Sequence, residues 1–208
     1  PRPRVRRGQD ALIRIEIDLM EATFGSDREI TVETALVCTK CTGSGSSASA
    51  QPTQCPICQG RGEVQQVTRS VLGQVMSSRP CANCQGFGSV ITDPCRECAG
   101  DGRVRSRRTL NVQIPAGVET GNRIQMSGQG EVGPGGGPAG DLYVEIVEKA
   151  HEYLVRSGDD LHMALTIPMT SAVLGTTVSI ETLDGESKVD IKAGTQSGTV
   201  IPIKNRGV

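Results

Sequence analysis

CTKCTGSG, residues 38–45, is the first of four near-copies of one eight-residue phrase. It returns as CPICQGRG at 55–62, CANCQGFG at 81–88 and CRECAGDG at 95–102. Every copy obeys C-x-x-C-x-G-x-G, and together they use all eight cysteines of the 208-residue chain. Cysteines so arranged can be metal clamps, disulfide staples or redox-active pairs, and the choice decides how the middle of the chain folds.

Disulfide scaffolds rarely space their cysteines as repeated C-x-x-C pairs, whereas zinc sites do so routinely. A C-x-x-C turn presents two thiolates one chelate bite apart, and tetrahedral Zn²⁺ needs two such turns. Four turns therefore imply two Cys₄ sites and two Zn²⁺ ions. The glycine two places after each second cysteine permits a tight knuckle, because without a Cβ it tolerates positive φ. It also lets backbone N–H groups approach the sulfurs. Four cysteine ligands leave no open coordination position, so these ions are structural and not hydrolytic. Each site carries a formal charge of about −2, which Lys40, Arg61 and Arg96 can offset in part. Intervals of 13, 22 and 10 residues separate the successive pairs. Sequential pairing makes two ordinary zinc ribbons, and nested pairing joins the first knuckle to the fourth and the second to the third. The residues leave both open; nesting is favoured because the insert's two ends must lie close together.

The insert, 38–102, is small, polar and Gly-rich, and could not bury enough surface to fold unaided. The sequence on either side reads as strands. ALIRIEIDL (11–19) alternates Ile13, Ile15 and Ile17 against Arg14, Glu16 and Asp18, the period of a half-buried strand. MEATFGS (20–26) is a short helical turn ended by Gly25, and REITVETALV (28–37) is a strand with Ile30 and Val32 on one face. GEVQQVTRSVLGQVMS (62–77) reads as a hairpin within the insert. β patterns resume in RTLNVQIPAGV (108–118), NRIQMSGQG (122–130) and DLYVEIVEKA (141–150). GPGGGPAG (133–140) reads as a flexible loop, and without a G-K-[ST] ending it is no phosphate-binding P-loop. Asp184-Gly185, between VSIETL and ESKVDI, marks a further hairpin. The organisation is thus a basic linker (1–9), a first β domain (10–37 with 103–149), the cysteine insert (38–102) and a second β domain (150–208).

Composition removes several classes of function. A net charge of −1 and only four aromatic residues, Phe24, Phe87, Tyr143 and Tyr153, argue against nucleic-acid binding. No run approaches the roughly 18 apolar residues of a membrane span, and no signal peptide is expected. A reducing, cytoplasmic setting is expected, where thiols stay free for metal. His151 and His162 are too few and too far apart for a catalytic or metal role. The chain starts at Pro1 and stops after IPIKNRGV without a closing element, so both ends read as cut.

Four C-x-x-C-x-G-x-G repeats inserted in a β domain resemble the cysteine-rich region of type A DnaJ-family co-chaperones. The flanks DLMEATFG, IPAGVETGNRIQMSGQGE, GDLYVEIVEKAHEYLVRSGDDL and LGTTVSIETLDG carry the same likeness, which spans residues 8–208. The resemblance implies a mainly β fold: two consecutive β-sandwich-like domains, the second incomplete, with the zinc hairpin projecting from the first. It implies nested ligand sets, Cys38, Cys41, Cys95 and Cys98 for one ion and Cys55, Cys58, Cys81 and Cys84 for the other. It implies an apolar groove that takes extended, unfolded client segments by strand addition. Ile30 and Val32 fall on the strand that lines it, with Leu12, Ile13 and Ile15 as further candidates. The partner is a DnaK-type ATPase, engaged mainly by a J domain; no His-Pro-Asp motif of that domain occurs here. The full-length protein is expected to be a homodimer, and this chain, without a dimerisation segment, a monomer. The competing reading is a thiol–disulfide oxidoreductase using pairs such as CPIC at Cys55–Cys58. Such pairs normally open a helix in a βαβ unit, and no such pattern surrounds these.

Overall fold

The computed structural model describes residues 1–47, 51–70 and 73–208. The chain is mainly β, in small sheets of the kind that build β-sandwich-like domains. Strands β1 (Ala11–Ile17) and β2 (Ser26–Val37) flank helix α1 (Leu19–Phe24). Within the insert lie β3 (Thr53–Gln54), β4 (Glu63–Ser70), β5 (Gly73–Pro80) and β6 (Ser89–Val90). After it come β7 (Arg103–Ile114), β8 (Arg123–Met126), β9 (Leu142–Glu148), β10 (Leu154–Ser157) and β11 (Asp160–Met163). Helix α2 (Met169–Leu174), β12 (Thr176–Thr182) and β13 (Gly185–Ile191) complete the order. One sheet runs β1-β9-β8, and the remaining strands pair in twos: β2-β7, β3-β6, β4-β5, β10-β11 and β12-β13.

By contact the chain divides into two compact units. Pro1–Ile13, Glu29–Leu110 and Ile124–Val144 make one; Arg14–Arg28, Asn111–Arg123 and Glu145–Val208 make the other. The divisions fall inside strands, whereas the sequence boundaries fall between them. The first unit buries Val32, Ala35, Leu142 and Val144, and the second buries Ile17, Leu19, Ala22, Val112, Ile114 and Ile146. Period-two patterning accounts for both sets. On β1, Ile17 is buried and Ile13 and Ile15 are half-buried, while Leu12, Arg14 and Glu16 face solvent.

The second unit contains the same local design twice. Each helix ends at a glycine, with Gly25 N–H bonding Glu21 O and Gly175 N–H bonding Ser171 O, both at 2.9 Å. In IPAG (114–117) the Gly117 N–H donates to Ala22 O at 2.8 Å; in IKAG (191–194) the Gly194 N–H donates to Ala172 O at 2.9 Å. In the first copy Leu19 is 1 % exposed and packs with Leu154, Leu183, Leu161 and Met163. In the second copy the matching Met169 is 80 % exposed.

Two segments depart from the sequence reading. GPGGGPAG (133–140), read as a flexible loop, has a defined path with a 3-10 turn at Pro134–Gly136. It lies beneath residues 1–9, which were read as a linker: Gly8 N–H bonds Pro138 O at 2.8 Å and Glu131 N–H bonds Gln9 O at 3.1 Å. The β12-β13 hairpin turns at Leu183-Asp184, one residue before the Asp-Gly signal, since Thr182 already pairs with Gly185. The hydroxyl of Thr182, which bonds the Asp184 carboxylate at 2.8 Å and Gly185 O at 2.6 Å, fixes that register. The hairpin read in 62–77 is the β4-β5 pair; Val71 and Leu72, within that stretch, lie outside the described residues.

Asp141 ties the first unit's loops together. Its carboxylate accepts bonds from Gly128 N–H at 2.8 Å, Arg7 at 3.1 Å and Gln125 at 3.2 Å. The Gly128 N–H, followed by Gln125 and Arg7, holds its pKa below the usual carboxylate value. A depressed folded-state pKa contributes stability that is fully present above the unfolded value, about 3.9 for Asp, and is lost as pH falls through the folded value. Asp141→Asn should therefore lower the urea midpoint at pH 7, and the gap from the native protein should shrink on acidification below about pH 4. A gap independent of pH would assign the loss to geometry and not to charge.

Candidate metal centres

The insert is one chain folded back on itself. The β2-β7 ladder continues into it through Cys38 N–H to Gly102 O at 3.0 Å, and Cys95 N–H bonds Gly45 O at 2.9 Å. Ser46 then bridges Pro94, Thr53 and Gln54 pair with Val90 and Ser89, and β4 pairs with β5 beyond the second and third knuckles.

This fold-back brings the first knuckle to the fourth and the second to the third. The sulfurs of Cys38, Cys41, Cys95 and Cys98 all lie within 4.8 Å of one another, and so do those of Cys55, Cys58, Cys81 and Cys84. Cys38–Cys95 and Cys55–Cys81 sulfurs are 3.9 Å apart; Cys41–Cys98 and Cys58–Cys84 sulfurs are 3.6 Å apart. Zn–S bonds of about 2.3 Å in a tetrahedron require sulfurs about 3.8 Å apart. The same distances exclude a disulfide, whose S–S bond is about 2.05 Å, and all eight cysteines are free. Both clusters can hold a metal ion.

The recurring glycines make each pairing self-complementary. The last glycine of a phrase donates its N–H to the second cysteine of its own knuckle: Gly45 to Cys41, Gly88 to Cys84 and Gly102 to Cys98 at 3.3 Å, and Gly62 to Cys58 at 3.2 Å. Its carbonyl accepts the N–H of the partner knuckle's first cysteine, reciprocally in both clusters. A Cβ at Gly102 would strike the Gly43 backbone, and one at Gly45 would strike Gly100. These glycines therefore serve close approach as well as turn geometry. Period and composition do not show this, because the contact joins residues far apart in sequence.

Donors to sulfur set the electrostatics. Burial opposes thiolate formation at Cys41, but the Gly45 N–H and the hydrogen bond with Cys98 bring its pKa down to about 7. The backbone N–H of Cys58, with the Asn83 amide 3.4 Å from the sulfur, lowers Cys55 to about 6. Burial and adjoining thiols push Cys58 up to about 11. Four neighbouring thiols cannot all ionise without a cation between them, and a divalent cation removes that conflict. Asn83 was not singled out from the sequence; its place between the third knuckle's cysteines is the signal that could have found it. Lys40, Arg61 and Arg96 are exposed beside the knuckles.

The proposed client residues lie apart from the metal clusters. Ile30 is half-buried on β2 and Val32, two residues on, is 7 % exposed. Leu12 is 51 % exposed, on the face of β1 opposite Ile13 and Ile15. β2 has a single strand partner among the described residues, β7. No described helix is long and apolar enough to cross a membrane.

Residues 6–208 match the model of the DnaJ C-terminal domain family. The chain is 65 % identical over 208 residues to chaperone protein DnaJ 2 of Streptomyces avermitilis and 64 % identical to that of Streptomyces coelicolor. It is 52 % identical over 209 residues to chaperone protein DnaJ 2 of Mycobacterium tuberculosis. Each match takes in 100 % of this chain and 55 % of the relative, so the chain spans about half the length of the curated relatives it matches.

Proposed function

Because the chain belongs to the DnaJ C-terminal domain family, we propose that it is the polypeptide-binding part of a co-chaperone that serves a DnaK-type ATPase. The observation that carries this reading is the pair of Cys₄ clusters with tetrahedral sulfur spacing, set in a mainly β chain of that family. Each cluster holds one structural Zn²⁺. With four cysteine ligands the ion has no position for a substrate. The domain boundaries are those read from the sequence, and the full-length protein is a homodimer of the cytoplasm, where thiols stay reduced.

Clients bind along β2. A strand with one ladder partner leaves main-chain groups for an extended segment, which gives sequence-tolerant affinity, and apolar side chains select exposed hydrophobic sequence. Ile30 and Val32 supply that selection; Leu12, Ile13 and Ile15 on β1 remain further candidates, Leu12 on the strand's other face. Ile30 is the residue to test, since nearly complete burial makes Val32 essential to folding as well. Ile30→Ser should raise the concentration needed for half-suppression of aggregation of a denatured client by about tenfold, with zinc content unchanged. Equal suppression by both proteins would remove Ile30 from the groove.

The relatives' names and the four-thiol clusters both weigh against the oxidoreductase reading. Each C-x-x-C pair sits in a turn and not at the start of a helix, so no helix dipole activates it.

A further inference from the structure

Residues 1–9 make a set of contacts that a linker does not need. Arg2 N–H bonds Gly86 O at 2.8 Å in the third knuckle. The Arg4 guanidinium stacks over the Phe87 ring, 4.8 Å from its centroid, and its Nε bonds the Ser89 hydroxyl at 2.8 Å. Farther along, the segment is held by the Gly-rich loop, with Arg6 N–H to Pro134 O at 3.4 Å and Gly8 N–H to Pro138 O at 2.8 Å. The side chain of Arg4 is half-buried, whereas those of Arg2, Val5, Arg6 and Arg7 face solvent.

The loop's own composition carries the argument further. Gly133 and Gly137 have φ of −71° and −64°, a backbone that any residue adopts. Conformation therefore gives no reason for glycine at either position. Space does: a Cβ on Gly137 would meet the Arg6 backbone first, and a Cβ on Gly133 would meet Arg6 and Gly8. On its other side the same loop supports the first metal cluster, where Gly135 N–H bonds Asp101 O at 2.9 Å and Gly136 abuts Gly43.

We infer that residues 1–9 form a strap that latches the second metal cluster, through Arg4 and Phe87, to the Gly-rich loop beside the first cluster, and so fixes the direction of the metal arm within its unit. A cation–π contact with its hydrogen bonds is strong enough to hold such a latch and weak enough to open.

The strap is tested on the zinc-loaded 208-residue protein with Arg4→Ala and Gly137→Ala. The second substitution keeps an allowed backbone and touches no atom of the Arg4–Phe87 contact. Both should speed amide exchange at Arg2, Arg6 and Gly8 by about tenfold. Both should also shorten the local ¹⁵N correlation time of residues 55–66 and 76–90 relative to β2. Zinc should stay at two ions per chain, one per cluster. Unchanged exchange at Arg2 in Gly137→Ala would overturn the inference, as would an arm that tumbles with β2 in both variants. Loss of zinc from Arg4→Ala would also overturn it, because the contact would then belong to the metal site.

Discussion

With one Zn²⁺ proposed for each cluster, Cys95→Ser should halve the zinc bound and melt the base of the insert while the distal part stays folded. The reason is what the insert has for a core. Among the described residues of 38–102, only the eight cysteines, Ser46 and glycines 43, 45, 62, 86, 88 and 102 are buried. No large apolar side chain is among them, so the hydrophobic effect contributes little and the sulfur clusters hold the structure. A structural zinc site supplies about 10–16 kcal/mol at neutral pH, far more than the hairpin ladder could replace. The clusters share no ligand, so the loss should stay local. Elemental analysis with backbone NMR reads both effects. Two ions retained would show that serine replaces the ligand; no ions retained would show that the two centres assemble as one.

The second large effect compares two glycines with nearly the same backbone. Gly102 and Gly117 have φ of +77° and +79°, so alanine at either position pays the same left-handed strain, about 1–2 kcal/mol. They differ in surroundings: a Cβ at Gly117 meets nothing within 4 Å, whereas one at Gly102 lands on the Gly43 backbone. Displacing packed backbone adds about 1–3 kcal/mol. It also breaks both bonds that Gly102 makes, Cys38 N–H to Gly102 O and Gly102 N–H to the Cys98 sulfur. Gly117→Ala should therefore lower thermal stability by a few degrees and leave zinc affinity intact. Gly102→Ala should release the first ion to a competing chelator at a concentration the native protein resists. Equal zinc retention in the two variants would show that close approach between knuckles is not needed.

Much of this was legible in the residues. The alternation of Ile13, Ile15 and Ile17, the stop at Gly25 and the four knuckles follow from local periods and spacings, and the structure places them as read. Contacts between distant segments were less legible. The pairing of knuckles is long-range, although the similar spacers on the two sides of the fold-back, 13 and 10 residues, already allow the chain to return along itself. PRPRVRRGQ and GPGGGPAG each look like connecting sequence when read alone. Their composition makes sense only when one backbone lies against the other, because glycine there provides room and not flexibility. The apolar residues of β1 were grouped by type, and the strand's period separates Leu12 from Ile13 and Ile15.

Nesting also imposes an order of assembly. The inner centre joins cysteines 26 residues apart, the outer centre cysteines 57 apart. Loop closure favours the shorter span by only about 0.6 kcal/mol, but synthesis from the N-terminus adds a stronger bias. The first knuckle emerges before its partner exists, while the second and third can already capture an ion. The distal centre is thus expected to form first, with the proximal centre closing a hairpin whose far end is already built.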